Sequence, residues 1–412
     1  MLRPCGWRCR GRSAPDGHML VFFEMVTEHR RGLNVSHLEK LIFGKRHKFS
    51  FEENFKFESE VRHSLELYPD DVTGPAQVVV KFLHRTSSTA SLTSRNPKHF
   101  AEYEDSVVWN FPQITLRILK PSPVNHAAPF TIFVGMNFEP PTPLAAAKAL
   151  LGMEFPSIFD QVIQLIHELI LVPLTFFDDA VAPIHGSAFE SNGRVAAFSG
   201  TGGVGKSSVL LRASAKRQHK LSFMADDMPL LGEDGTLHGN FAWPKIYGYN
   251  VESLPQNVDL LKGRTVANKT HFNVKKLLGD GSKVRRKISP LKLFPAVSSQ
   301  GPLTSLTFLF RSGTPFFRTS DITVDRAASL LLNIMESEYS TIFDYLAWGE
   351  YNAAINKTEP LLTLDDLRKN WLRCYRSGLA NTSVRILHIP LAATGADLDS
   401  FVDKTIADLT SS

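Results

Sequence analysis

The chain has 412 residues, with 46 Lys+Arg against 41 Asp+Glu and a formal net charge of +5. At 43% hydrophobic and 21% charged residues it can bury large cores, which excludes disorder along the whole length. Its length predicts two or three domains. No apolar run reaches the roughly 18 residues of a membrane span; the best candidate, 165–177, is broken by His167, Glu168 and Pro173.

Residues 1–18 are Arg- and Gly-rich and lack an apolar stretch, so they read as a disordered tail or a misassigned start, not a secretory signal. Met19 or Met25 would serve as an alternative first residue. Residues 19–150 read as an N-terminal α+β domain, with strands expected at 77–83, 106–110, 114–119 and 130–134. A polar loop is expected at 86–95, and Glu139-Pro140-Pro141-Thr142-Pro143 reads as a linker. This domain carries no recognisable chemistry and is a candidate for acceptor recognition.

From 151 to 320 the pattern becomes an alternation of helix and short strands. A helix is expected over 160–172, ending at Pro173. One strand is expected over 182–190, a tight turn at Ser191-Asn192-Gly193, and a second strand over 194–199. A glycine-rich loop follows, then a helix from Lys206 to about Arg217, then an apolar strand over 221–225. Further on, Glu233-Asp234-Gly235 reads as a hairpin turn and 303–311 as a core strand. Residues 321–412 read as a C-terminal helical extension, with helices near 325–348, 363–376 and 396–410 and a strand at 384–389.

The loop Gly200-Thr201-Gly202-Gly203-Val204-Gly205-Lys206-Ser207 satisfies the GxxxxGK[ST] pattern at every fixed position. Its glycines let successive N–H groups turn inward onto phosphate oxygens, and the helix that follows adds its positive end. Lys206 can reach the terminal phosphates, and Ser207 can offer its hydroxyl to Mg²⁺. The strand over 221–225 ends in Asp226-Asp227. A carboxylate there can hold the metal or its water, and a second can take a proton from a hydroxyl nucleophile.

Together, Ile184-His185-Gly186-Ser187-Ala188, the glycine-turn hairpin, Gly200 to Ser208 and Ala225-Asp226-Asp227 resemble the HPr kinase/phosphorylase-like family of P-loop kinases. That family shares its nucleotide fold with phosphoenolpyruvate carboxykinase. The resemblance covers about residues 160–320. It implies an α/β P-loop kinase core, ATP and Mg²⁺ as cofactors, and a homo-oligomer. It also implies transfer of the γ-phosphate to a hydroxyl, serine-type, acceptor on a protein, peptide or small molecule. In that reading Lys206 and the loop from Gly200 to Ser208 hold the phosphates. Ser207 and Asp226 hold the metal, Asp227 is the general base, and His185 assists beside the transferred phosphate. The acceptor HPr itself is not carried over.

The positive charge is uneven. Residues 262–292 carry ten Lys/Arg and one acid, a net of +9, which leaves −4 for the rest. Such a segment reads either as a mobile lid or as a solvated loop. Lys245, Arg285 and Arg286 are candidates for phosphate or acceptor contacts. Nucleic acid is not expected, because Phe272 is the segment's sole aromatic.

Three cysteines, Cys5, Cys9 and Cys374, cannot form a disulfide framework, and their sparseness fits a cytoplasmic setting. The competing reading is a nucleotide-gated regulatory ATPase or binding protein without phosphotransfer. GTP recognition is disfavoured, since Asn268-Lys269-Thr270-His271 lacks the final Asp of NKxD.

Overall fold

The computed structural model describes residues 36–70, 73–96, 100–121, 128–138, 150–256, 258–279 and 281–410. The start over 1–18, its alternatives at Met19 and Met25, and the linker at 139–143 lie outside these residues. Two mixed sheets with flanking helices make the chain α/β, and residues 35–412 form one unit.

The first sheet has eight strands: β1 (Ser36–Ile42), β2 (Lys45–Phe51), β3 (Val78–Leu83), β4 (Leu92–Asn96), β5 (Phe100–Tyr103), β6 (Ser106–Asn110), β7 (Ile114–Leu119) and β8 (Phe130–Met136). Their spatial order is β1-β2-β3-β8-β7-β6-β5-β4. The four strands expected from sequence are present, because each alternates buried and exposed positions or is bounded by turn residues. Phe49 and Phe51 on β2 and Phe82 on β3 point to one face, where Phe51 and Phe82 stack at 5.2 Å.

Two features of this sheet escape sequence reading. The β1–β2 turn is Phe43-Gly44, both with positive φ (52° and 74°), and a phenylalanine there carries no turn signal. The polar loop expected at 86–95 contains most of β4, a largely exposed edge strand held by pairing with β5. Between β2 and β3 lies α1 (Glu58–Leu65).

A long helix, α2 (Ile158–Phe177), opens the second half. Ser157 caps it by accepting from Asp160 N–H at 3.2 Å. Contrary to expectation it continues through Pro173. Residues Leu165–Leu171 form a π-helical stretch, in which carbonyls bond five residues ahead. The Glu168 carbonyl would there face the N–H that Pro173 lacks, and Tyr339 Oη donates to it instead at 3.1 Å. By length and composition α2 could cross a membrane, but 67% of its apolar window is buried in the fold, where it serves as a core helix.

The second sheet holds β9 (Val181–Pro183), β10 (Gly186–Ser191), β11 (Arg194–Ser199), β12 (Ser222–Ala225), β13 (Leu230–Gly232), β14 (Thr236–His238), β17 (Ala296–Val297), β18 (Gln300–Ser312), β19 (Arg318–Asp321) and β20 (Ser383–Pro390). A separate pair joins β15 (Lys245–Tyr247) to β16 (Arg285–Lys287). The expected single strand over 182–190 is two: β9 pairs with β13, β10 pairs with β11 and β12, and Ile184-His185 crosses between them. The β10–β11 turn is Asn192-Gly193, with φ of 52° and 75°, as the sequence predicts.

Helices α3 (Lys206–Ala215), α4 (Val266–Leu278), α5 (Val324–Glu338), α6 (Ser340–Asn356), α7 (Leu364–Gly378) and α8 (Asp399–Thr410) complete the fold. The helix expected over 325–348 breaks at Tyr339 into α5 and α6. Residues 321–412 are more than a helical extension. They supply β20, which runs parallel to β18 over eight residue pairs from Ser305↔Ser383 to Ser312↔Pro390 and so widens the core sheet.

The basic segment is not a loop. It forms α4 and β16, and three of its cations, Arg264, Arg285 and Lys287, are held in internal ion pairs. Arg286 is 2% exposed; its guanidinium donates to Asn268 Oδ1 at 2.7 Å and lies over the Phe272 ring. Lys287 is also buried and pairs with Glu154 at 3.0 Å.

Candidate functional site

Sheet topology gathers three of the sequence motifs at one edge. β11 and β12 both run antiparallel to β10, so they point the same way with β10 between them. The glycine loop leaves the end of β11, and Asp226-Asp227 leaves the end of β12. β10 enters from that same edge, which puts His185 beside both. The registers Gly186↔Ser199 and Ala188↔Ala225 fix this alignment.

The loop needs its glycines. Gly200 has φ of 146°, and a Cβ there would lie 2.8 Å from the Leu309 carbonyl oxygen; Gly205 has φ of 118° where α3 begins. Lys206 folds back over the loop, its Nζ donating to the Gly200 and Thr201 carbonyls at 2.7 and 3.0 Å. Burial pulls its ammonium below the ordinary lysine range, against the pull of Asp227, Glu338 and Asp226. Ser208 donates to Asn250 Oδ1 at 3.1 Å, and the buried Asn250 Nδ2 has no partner.

A single cleft is lined by Gly202, Gly203, Gly205, Lys206, Ser207 and Ser208 on the loop side. Opposite them stand His185, Asp226, Asp227, Lys245 and Arg285. Gly200, Thr201 and Val204 belong to the loop without lining the cleft. Arg286 lies outside it, locked into α4, so it is not placed for a phosphate contact. Arg285 reaches the cleft while pairing with Glu154 at 2.5 Å and with Tyr247 Oη at 3.0 Å.

Asp226 is buried, and its Oδ2 accepts the Lys245 backbone N–H at 3.2 Å. Its Oδ1 has no hydrogen-bond partner. Burial raises its carboxyl to about 7; the Ser207 hydroxyl opposes that rise and the charge of Asp227 adds to it. A buried carboxylate oxygen beside a serine hydroxyl matches the sparse, hard donor set of Mg²⁺, which keeps several of its waters. Among the described residues no cluster of three His, Cys, Asp or Glu offers a denser metal site.

Asp227 sits between an imidazole and an ammonium. Its Oδ1 lies 3.6 Å from His185 Nε2, and its Oδ2 lies 3.6 Å from Lys245 Nζ. The next residue, Met228, has φ of 49°, a left-handed conformation costly for a side chain of its size. The Asn240 amide donates to its carbonyl at 3.2 Å and helps hold that turn.

Two charged residues of the cleft were not singled out from the sequence. Glu338, the last residue of α5, places Oε1 3.0 Å from His185 Nδ1. The imidazole holds the Glu338 carboxyl below its ordinary range, and Lys206 adds to the effect against burial. His185 therefore stands between Glu338 and Asp227, close to both carboxylates but without a well-formed hydrogen bond at Nδ1. Glu168, from the π-helical stretch, pairs with Lys245. Burial would lower the Lys245 ammonium, but Glu168 and Asp227 outweigh it and raise it above the usual range. Nothing near Glu338 in the sequence marks it. Glu168 did carry a signal, as a charge inside an apolar helix.

Comparison with protein-family models and with curated proteins finds no match for this chain.

Proposed function

We propose that this chain is an ATP-dependent phosphotransferase that moves the γ-phosphate to an acceptor hydroxyl. The observation that carries this reading is the convergence of the glycine loop, the Asp226-Asp227 pair and His185 on one cleft. The resemblance of those motifs to HPr kinases supports it.

In this reading the loop amides and Lys206 bind the phosphates. Ser207 and Asp226 would hold Mg²⁺, which when bound neutralises phosphate charge. Asp227 Oδ1, buried and without a hydrogen bond, accepts the proton of the acceptor hydroxyl. The acceptor oxygen then bonds to the γ-phosphorus, the bond from that phosphorus to the bridging oxygen breaks, and ADP leaves. His185, beside Glu338, donates toward the transferring group. Lys245, tied to Glu168 and Asp227, holds the base in place.

The test is transfer from γ-labelled ATP into a cell lysate and its small-molecule fraction, comparing wild type with Asp227→Asn. Label should reach a discrete acceptor with wild type alone, while both proteins bind ATP. Binding without transfer by either protein would overturn the kinase reading in favour of a nucleotide-gated binding protein.

A further inference from the structure

Beyond Asp227 the cleft meets a second cavity. It shares Glu168, Asp227, Lys245 and Glu338 with the first, and continues between the N-terminal sheet and α6. Its remaining wall is mostly apolar: Phe111 from the segment after β6, Leu169 from α2, Met228, Tyr339, and Ile342 from α6, with Thr341 exposed at the rim. Met228, at positive φ, lines this cavity alone, whereas Asp227 before it lines both.

We infer that this second cavity is the acceptor subsite, and that it takes an uncharged alcohol with an apolar body, its hydroxyl directed at Asp227. The inference rests on the phosphotransferase reading and names its acceptor class. The charges at the junction decide against an anionic acceptor. Three carboxylates, Glu168, Asp227 and Glu338, face the junction against one ammonium, Lys245, which Glu168 already pairs. A second anion there would meet net negative charge in a partly dehydrated site. The apolar wall, in contrast, gains from covering a hydrocarbon surface. Phe111 gives the N-terminal sheet a direct part in recognition, and its ring is held edge-on by Tyr345 of α6 at 5.2 Å. Such an alcohol can be a free small molecule or the serine of a peptide with an apolar neighbour, and the chemistry at the junction is the same.

The experiment is ligand-observed saturation-transfer NMR on the full chain with three probes: 4-phenyl-1-butanol, N-acetyl-Phe-Ser-amide and 4-phenylbutyrate. Wild type, Thr341→Trp and Leu169→Trp would be compared after circular dichroism and ATP titration show all three folded and nucleotide-competent. At least one hydroxyl probe should bind wild type, and the filled variants should weaken it by about tenfold or more. The carboxylate should bind more weakly than the alcohol of the same body. Preference between the two hydroxyl probes tells a free alcohol from a peptide serine. No binding of either, binding undiminished in both filled variants, or equal binding of the carboxylate would overturn the inference. Pocket binding without label transfer from ATP to the bound alcohol would instead count against phosphotransfer and leave the apolar-alcohol pocket standing.

Discussion

Two buried histidines in this chain have opposite surroundings. His167, within α2, is fully buried and has neutral partners on both ring nitrogens. Nδ1 lies 2.9 Å from Asn240 Oδ1 and 3.2 Å from Tyr68 Oη, and Nε2 lies 3.2 Å from the Ser64 carbonyl. Tyr68 Oη also accepts the Phe241 N–H at 3.1 Å, so the network sews α1 and its following turn to the second sheet. His185 stands between two carboxylates at the floor of an open cleft. Its own Nδ1, and around it Asp226 Oδ1, Asp227 Oδ1 and Asn250 Nδ2, are buried without hydrogen-bond partners. A saturated neutral network stabilises a fold. An unsaturated charged one costs stability, and its position in a cleft points to chemistry.

The sharpest way to break this contrast is Asp227→Asn. Transfer should fall by about 10²–10⁴-fold, while ATP affinity holds and the melting temperature stays level or rises, since a partly buried charge is gone. A variant with normal turnover would remove Asp227 from the base role.

His167→Ala should do the reverse. Taking one hydrogen-bond partner each from Tyr68, Asn240 and the Ser64 carbonyl and leaving a cavity should cost about 2–4 kcal/mol in urea unfolding, with ATP binding kept by the folded fraction. An unchanged unfolding midpoint would show that the network is not structural.

Acid sharpens the same point. Burial lowers His167 to about 4, against the hydrogen bonds that favour its charged form, and burial also lowers His47 to about 4. The unfolded chain takes up these protons below the ordinary value of 6.5, whereas the folded chain resists until near 4. Stability should therefore decline as pH falls from 6.5 toward 4, by about 3 kcal/mol for each histidine. Urea midpoints across that range check it, and the part of the slope due to His167 should vanish in His167→Ala.

The smallest effect is expected at Glu338, which acts through His185. Glu338→Gln should lower turnover by roughly tenfold and move the acid limb of the pH–rate profile, with the ATP dissociation constant unchanged. A loss of turnover without any change in the pH profile would reduce Glu338 to a packing residue.

Much of the site was readable in the chain because its chemistry is contiguous. Gly200 to Ser208 and Asp226-Asp227 are each a strand end followed by a turn, and backbone rules assign such junctions locally. The hairpin turn Asn192-Gly193 was equally plain. The turn at Phe43-Gly44 was not, since strand pairing and burial of the ring against Tyr68 hold a phenylalanine at positive φ there. Pro173 misled for a related reason. A local rule ends the helix, but Tyr339, far along the chain, supplies the hydrogen bond that the proline withholds.

The amino-acid sequence by itself determined where a glycine loop and a strand-end pair of aspartates can form. Glycine conformations, a helix start and a strand end depend on neighbours in the chain. Tertiary structure alone decided what those residues face. It set Glu338 against His185 and Glu168 against Lys245, spent Arg286 on α4, and turned Met228 and Phe111 onto the same cavity. These are charge and packing contacts between segments 77 to 153 residues apart for the site pairs, and long-range contacts of that kind follow from sheet order and burial, which no local pattern encodes.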